Sequence, residues 1–66
     1  MISYEPFFET LKRKGITQYD LENHMDVSKG TLDSLRNNKN ITLLTLESLC
    51  NLLDCQPWDI FKFVKE

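Results

Sequence analysis

Cys50, Cys55 and His24 are the side chains of this sequence best suited to redox, nucleophilic or metal chemistry, and their number and spacing argue against all three. A structural zinc site wants four ligands in closely spaced pairs. Here there are two cysteines, with one histidine far from both. The N-terminus lacks the basic-then-apolar pattern of an export signal, so Cys50 and Cys55 are expected as free thiols acting as small core-facing apolar residues. His24 reads as a surface residue near a helix end. No nucleophile, base and orienting group occur at an informative spacing, and Gly15 and Gly30 stand alone rather than in a phosphate-cradling loop. The sequence therefore predicts no enzyme, no cofactor, no metal and no small-molecule ligand.

A chain of 66 residues holds one hydrophobic core, so residues 1–66 are expected to form one compact domain. Its apolar share of 41% and charged share of 27% are those of an ordinary globular protein. No apolar stretch approaches the roughly 20 residues a bilayer span needs, which makes the cytoplasm the expected address. One arrangement recurs along the chain: an apolar residue, a hydroxyl residue, and a second apolar residue five places after the first. It occurs as Ile2-Ser3 with Phe7, Ile16-Thr17 with Leu21, Val27-Ser28 with Leu32, and Ile41-Thr42 with Leu46. This is the spacing of a helix cap flanked by a hydrophobic staple, in which the hydroxyl accepts a free N–H of the first turn. Pro57, with Asp59 behind it, marks a fifth start.

The expected helices are Tyr4–Lys14, ended by Gly15, then Gln18–Met25, Lys29–Asn37, Leu43–Leu53 and Pro57–Val64. The fourth is apolar over much of its circumference and is expected to be the central element of the core. Strand-type alternation of valine and isoleucine is absent, so no sheet is expected. Only Asp26 to Ser28 separate the second and third helices, which forces a steep crossing of two short helices, the layout of a helix-turn-helix. With Gln18 as first place, the fourth, eighth, tenth, fifteenth and eighteenth places must be apolar to lock the pair. They are Leu21, Met25, Val27, Leu32 and Leu35.

Thr17-Gln18, Leu21, Val27-Ser28, Thr31-Leu32 and Leu35-Arg36-Asn37 resemble the phage repressor and Cro type of helix-turn-helix. Asn38 to Leu43, Thr45-Leu46 and Leu53 to Ile60 extend the resemblance, over nearly the whole chain, to the compact members of that family found in bacteria and their mobile elements. The resemblance implies an all-α bundle of five helices, binding to double-stranded DNA as a transcription regulator, and commonly a homodimer. Two positions depart from the family pattern. Glu22 stands where a small residue is usual, and Asp26 stands where the turn usually has glycine; aspartate tolerates a positive φ better than most residues.

In this motif the N-terminal part of the third helix points into the major groove, which makes Lys29, Gly30, Asp33 and Ser34 the candidate base-contacting residues. Lys29 can donate to guanine O6 and N7, Ser34 can donate or accept, and Asp33 can accept from cytosine N4. Gln18 resembles the family's phosphate-clamping glutamine, and Thr17, Thr31, Arg36, Asn37 and Lys39 are the further phosphate candidates. On the expected fifth helix Pro57, Ile60, Phe61 and Val64 fall on one face that docks on the core; Trp58 and Phe63 flank it and, with Phe61, form the candidate dimer interface.

Charge bears on this reading independently. From Lys12 to Lys39 six bases face the acids Asp20, Glu22, Asp26 and Asp33, whereas elsewhere Lys62 and Lys65 face six acids. The formal net charge of -2 thus conceals a basic middle and acidic flanks. A protein-interaction module of the same fold, antitoxin-like or adaptor, is the alternative reading, favoured by Glu22, Asp26 and the acidic total. The Lys12-Arg13-Lys14 run serves either, because it also ends a helix, where positive charge offsets the dipole.

Overall fold

The computed structural model describes residues 1–65. In chain order it contains strand β1 (Ile2–Ser3), helix α1 (Glu5–Lys14), helix α2 (Gln18–Asn23), helix α3 (Lys29–Arg36), helix α4 (Leu43–Leu53), a 3-10 turn (Pro57–Asp59) and strand β2 (Lys62–Phe63). No helix among the described residues is long and apolar enough to cross a membrane.

Three of the four expected hydroxyl caps form. The Thr17 hydroxyl accepts from the Asp20 N–H at 3.0 Å while the Asp20 carboxylate accepts from the Thr17 N–H at 3.0 Å, a reciprocal capping box. Hydrogen bonding from Thr17, its backbone N–H first and its side chain second, holds the Asp20 carboxyl below its ordinary value. Ser28 accepts from the Thr31 N–H and Thr42 from the Thr45 N–H. Ser3 does not cap α1. The cap position falls on Tyr4, which makes no side-chain cap bond, and Ser3 lies in β1. Gly15 ends α1 in the left-handed conformation at φ 69.

The core draws buried side chains from every helix: Tyr4 at the cap of α1, then Phe7, Leu11, Leu21, Val27, Leu32, Leu35, Leu46, Leu49, Leu53 and Ile60. α4 contributes Leu46, Leu49 and Leu53, whereas Leu43 and Leu44 are 82% and 75% exposed and Leu52 is partly so. The apolar circumference of this helix therefore exceeds what the core uses. Thr10, the one buried polar residue of this core, donates its hydroxyl to the Asp59 carbonyl at 2.8 Å, and the Phe7 N–H bonds the Ile60 carbonyl at 3.1 Å. These bonds seat α1 on the turn that follows α4.

The expected fifth helix does not form, and a sheet replaces it. The Asp59 carboxylate accepts from the Gln56 N–H at 3.0 Å and closes a single 3-10 turn, after which the chain extends. β2 then pairs antiparallel with β1, Ile2 opposite Phe63 and Ser3 opposite Lys62, and Met1 and Val64 exchange backbone bonds at 2.8 Å in both directions. Continuing the helix would have left the backbone of residues 1–3 without these partners. Phe61-Lys62-Phe63-Val64 carries the sequence signal in retrospect, since aromatic and β-branched residues separated by one lysine favour an extended edge. α2 and α3 also stop short of the expected ends, at Asn23 and Arg36.

Candidate nucleic-acid interface

α2 and α3 meet through the apolar set that the motif requires. Leu21, Val27, Leu32 and Leu35 are buried and Met25 is half-buried against them. Between the helices Asp26 takes φ 57, the left-handed conformation in which the family usually has glycine. The Val27 N–H returns to the Leu21 carbonyl at 2.9 Å and closes the turn. With Leu32 and Leu35 pointing inward, the opposite side of α3 faces solvent.

On that side Lys29, Gly30 and Asp33 are exposed and Ser34 is half-buried. A Cβ built on Gly30 would meet nothing within 4 Å, so no packing within the fold requires glycine there. The Lys29 ammonium sits 3.5 Å from the Glu22 carboxylate, an ion pair that joins the start of α3 to the outer face of α2. Glu22 thus lies at the helix crossing, as its place in the motif implies, but its side chain is turned to the rim rather than wedged between the helices. The lysine side chain is 86% exposed, so this pair is held in high dielectric and contributes at most about 1 kcal/mol.

The candidate phosphate contacts fall into three groups. Gln18 and Arg36 are brought together: the Arg36 Nε donates to Gln18 Oε1 at 2.7 Å, bridging the start of α2 and the end of α3. That bond engages the oxygen of the glutamine amide, whose NH2 group is a donor. Thr17, beside Gln18, is committed to its capping box. Thr31 is drawn toward the turn, where its hydroxyl accepts from Ser28 at 2.9 Å, and it borders a groove shared with Leu44 and Ser48 of α4. The Asn37 amide donates back to the Asp33 carbonyl and carboxylate at 2.8 and 3.2 Å, tying a phosphate candidate to a base candidate.

Lys39 keeps an exposed side chain on a firmly held backbone. Its N–H bonds the Ser34 carbonyl at 2.9 Å and its carbonyl accepts the Tyr4 hydroxyl at 2.6 Å. Asn38, left-handed at φ 54, accepts the Tyr4 N–H through its side-chain oxygen at 3.1 Å. Burial raises the Tyr4 phenol above its ordinary value, so it remains a donor throughout the neutral range. Sequence reasoning missed both residues. Asn38 had a signal, an asparagine just beyond a helix end, whereas nothing local links Tyr4 to a loop 35 positions away.

Residues 9–66 match the family of Cro/C1-type helix-turn-helix DNA-binding domains, and the chain belongs to that family. The family is one of DNA-binding domains, and this member has four α-helices among its described residues where five were expected. Among similar proteins is the uncharacterized helix-turn-helix transcriptional regulator YozG of Bacillus subtilis (strain 168), 33% identical over 55 residues. That alignment takes in 80% of this chain and 66% of the relative, so the chain spans slightly less than two thirds of its length. The crystal structure of the transcriptional regulator VanUg is similar at a TM-score of 0.87 and 29% identity, over 98% of this chain and 87% of that one.

Proposed function

We propose that the chain, as one domain over residues 1–66, is a sequence-specific transcription regulator that acts in the cytoplasm and lays α3 in the major groove of double-stranded DNA. One observation carries this reading. The inward side of α3 is locked by Leu32 and Leu35, while Lys29, Gly30 and Asp33 on its other side stand free of any fold contact except ion pairs and hydrogen bonds at the rim. Lys29 is the principal base reader, with Ser34 and Asp33 secondary. Gly30 lets the backbone approach the groove, a role favoured by the open space around it, since a glycine in a helix costs roughly 1 kcal/mol relative to alanine and the fold gains nothing from it. Gln18 with Arg36, and Lys39 with Asn37, flank the reading face on two sides as phosphate contacts; Thr17 and Thr31 contribute through their hydroxyls. Such a domain works without cofactor, metal or catalytic step.

Binding to duplexes selected from random sequence, measured across salt concentrations, tests this reading. Phosphate contacts release counterions, so affinity falls steeply with salt. A flat salt dependence would favour the protein-interaction alternative. In the same assay Glu22→Ala is expected to raise affinity at low salt, because it removes a negative charge beside Lys29 and frees the ammonium. Unchanged affinity would place Glu22 beyond the reach of the phosphates.

The regulator is proposed to act as a homodimer, since one recognition helix covers too few base pairs to select a site in a genome. Its candidate contacts no longer share a helix. Trp58 lies on the 3-10 turn and Phe63 on β2, 71% and 76% exposed, and the half-buried Phe61 packs edge-on against Phe63 with centroids 5.5 Å apart. Large uncovered aromatics of this kind are enriched at interface centres. Sedimentation at tens of micromolar is expected to show a dimer that Phe63→Ala weakens without loss of helicity; a monomer at that concentration removes this interface.

A further inference from the structure

We infer that Cys50 and Cys55 form a reversible intramolecular disulfide, a modification site whose co-reactant is a low-molecular-weight disulfide. Cys50 lies in the last turn of α4, and the chain leaves that helix through Asp54 in the left-handed conformation, φ 51 and ψ 56. The Cys50 carbonyl accepts from the N–H groups of both Asp54 and Cys55, the latter at 3.0 Å. With standard bond lengths that hydrogen bond keeps the two Cα atoms within about 7 Å, against the roughly 4.4–6.8 Å that disulfides span. Helix ends of this type regularly bring two apolar side chains together across the reversal. Here the pair is two thiols, close enough that each alters the protonation of the other. Both are half-buried at the edge of the core and remain within reach of a small reagent.

The surroundings set the pace of the reaction. Burial, Cys50 and Asp59 on the 3-10 turn push the Cys55 thiol up to about 11, against a weaker opposing pull from Lys14 of α1. Little thiolate therefore exists near neutrality, which slows the first exchange step as it slows peroxide oxidation; closure, being intramolecular, is the faster of the two exchange steps. One protein thiol loses its proton to solvent and its sulfur attacks the small disulfide. The S–S bond of the reagent breaks, one small thiol leaves, and a mixed disulfide remains. The second protein thiolate then attacks the mixed disulfide at the protein sulfur and expels the other small thiol. Two protein thiols are oxidised and one small disulfide is reduced to two thiols, so electrons and protons balance. The closed ring would tie the end of α4 to the segment whose Asp59 and Ile60 carbonyls hold Thr10 and Phe7 of α1.

The test is intact mass after incubating the full chain with oxidised glutathione and trapping with an alkylating agent. The expected product is lighter by two hydrogens, carries no glutathione or alkyl group, and reverts with dithiothreitol. Cys50→Ser and Cys55→Ser should each accumulate one stable glutathione adduct instead. A folded wild-type chain that carries two glutathiones, forms a disulfide-linked dimer, or stays unreacted while the urea-unfolded chain reacts would overturn the inference. The wild-type masses decide the matter even if a serine variant fails to fold.

Discussion

Leu35→Ala is expected to remove most of the stability of this protein and, with it, DNA binding. Leu35 is fully enclosed between α3 and the rest of the core. Truncating such a leucine costs roughly 2–5 kcal/mol, the lost burial plus the cavity left behind. A domain of this size has a total stability in the range of about 3–10 kcal/mol, so the loss is comparable with the whole. In urea denaturation the midpoint should fall by half or more, and in a thermal scan by roughly 10 °C or more. The paired control is Leu44→Ala on the neighbouring helix. Leu44 is 75% exposed, and its truncation should change stability by no more than about 0.5 kcal/mol. Equal effects of the two leucines would show that α4 and α3 pack differently from the arrangement described above.

Lys29→Ala is expected to weaken binding to a selected operator by about 1–3 kcal/mol, roughly 5- to 150-fold, while binding to random duplex falls far less. The difference between the two duplexes is the informative quantity. An equal loss on both would make Lys29 a phosphate contact, and no loss on either would exclude it from the interface. Competition from Glu22 cannot mask the effect, because a rim pair with an 86% exposed lysine is worth less than a good base contact. The double variant with Glu22→Ala should show little coupling in stability and a measurable coupling in affinity, since the carboxylate and the base compete for one ammonium.

Much of the helical part of the fold could be read directly from the residues. Thr17, Ser28 and Thr42 each cap the helix that the staple pattern marked, and α4 spans Leu43–Leu53 as its apolar run indicated. These are local decisions: a hydroxyl and the free N–H groups it satisfies lie within three residues of each other. The helix-turn-helix was equally legible, because its five apolar places are set by one short crossing and four of them are buried. Ser3 shows the limit of the same rule. Its pattern matched that of the other three, yet its segment went to a strand, because residues 62–64 offered the backbone of residues 1–3 a better set of hydrogen bonds.

Of the site, the residue types and the face of α3 they share followed from the chain itself, whereas their partners did not. Helix periodicity places Lys29, Gly30 and Ser34 opposite Leu32 and Leu35 whatever the remainder of the protein does. That Glu22 reaches Lys29, that Arg36 holds Gln18, and that Tyr4 pins the loop carrying Lys39 depends on how separate elements are set against one another. The C-terminal segment belongs to the same category. Its apolar spacing over residues 57–64 fits a helix, but the segment pairs with the N-terminus through long-range backbone bonds, which no window of neighbouring residues contains.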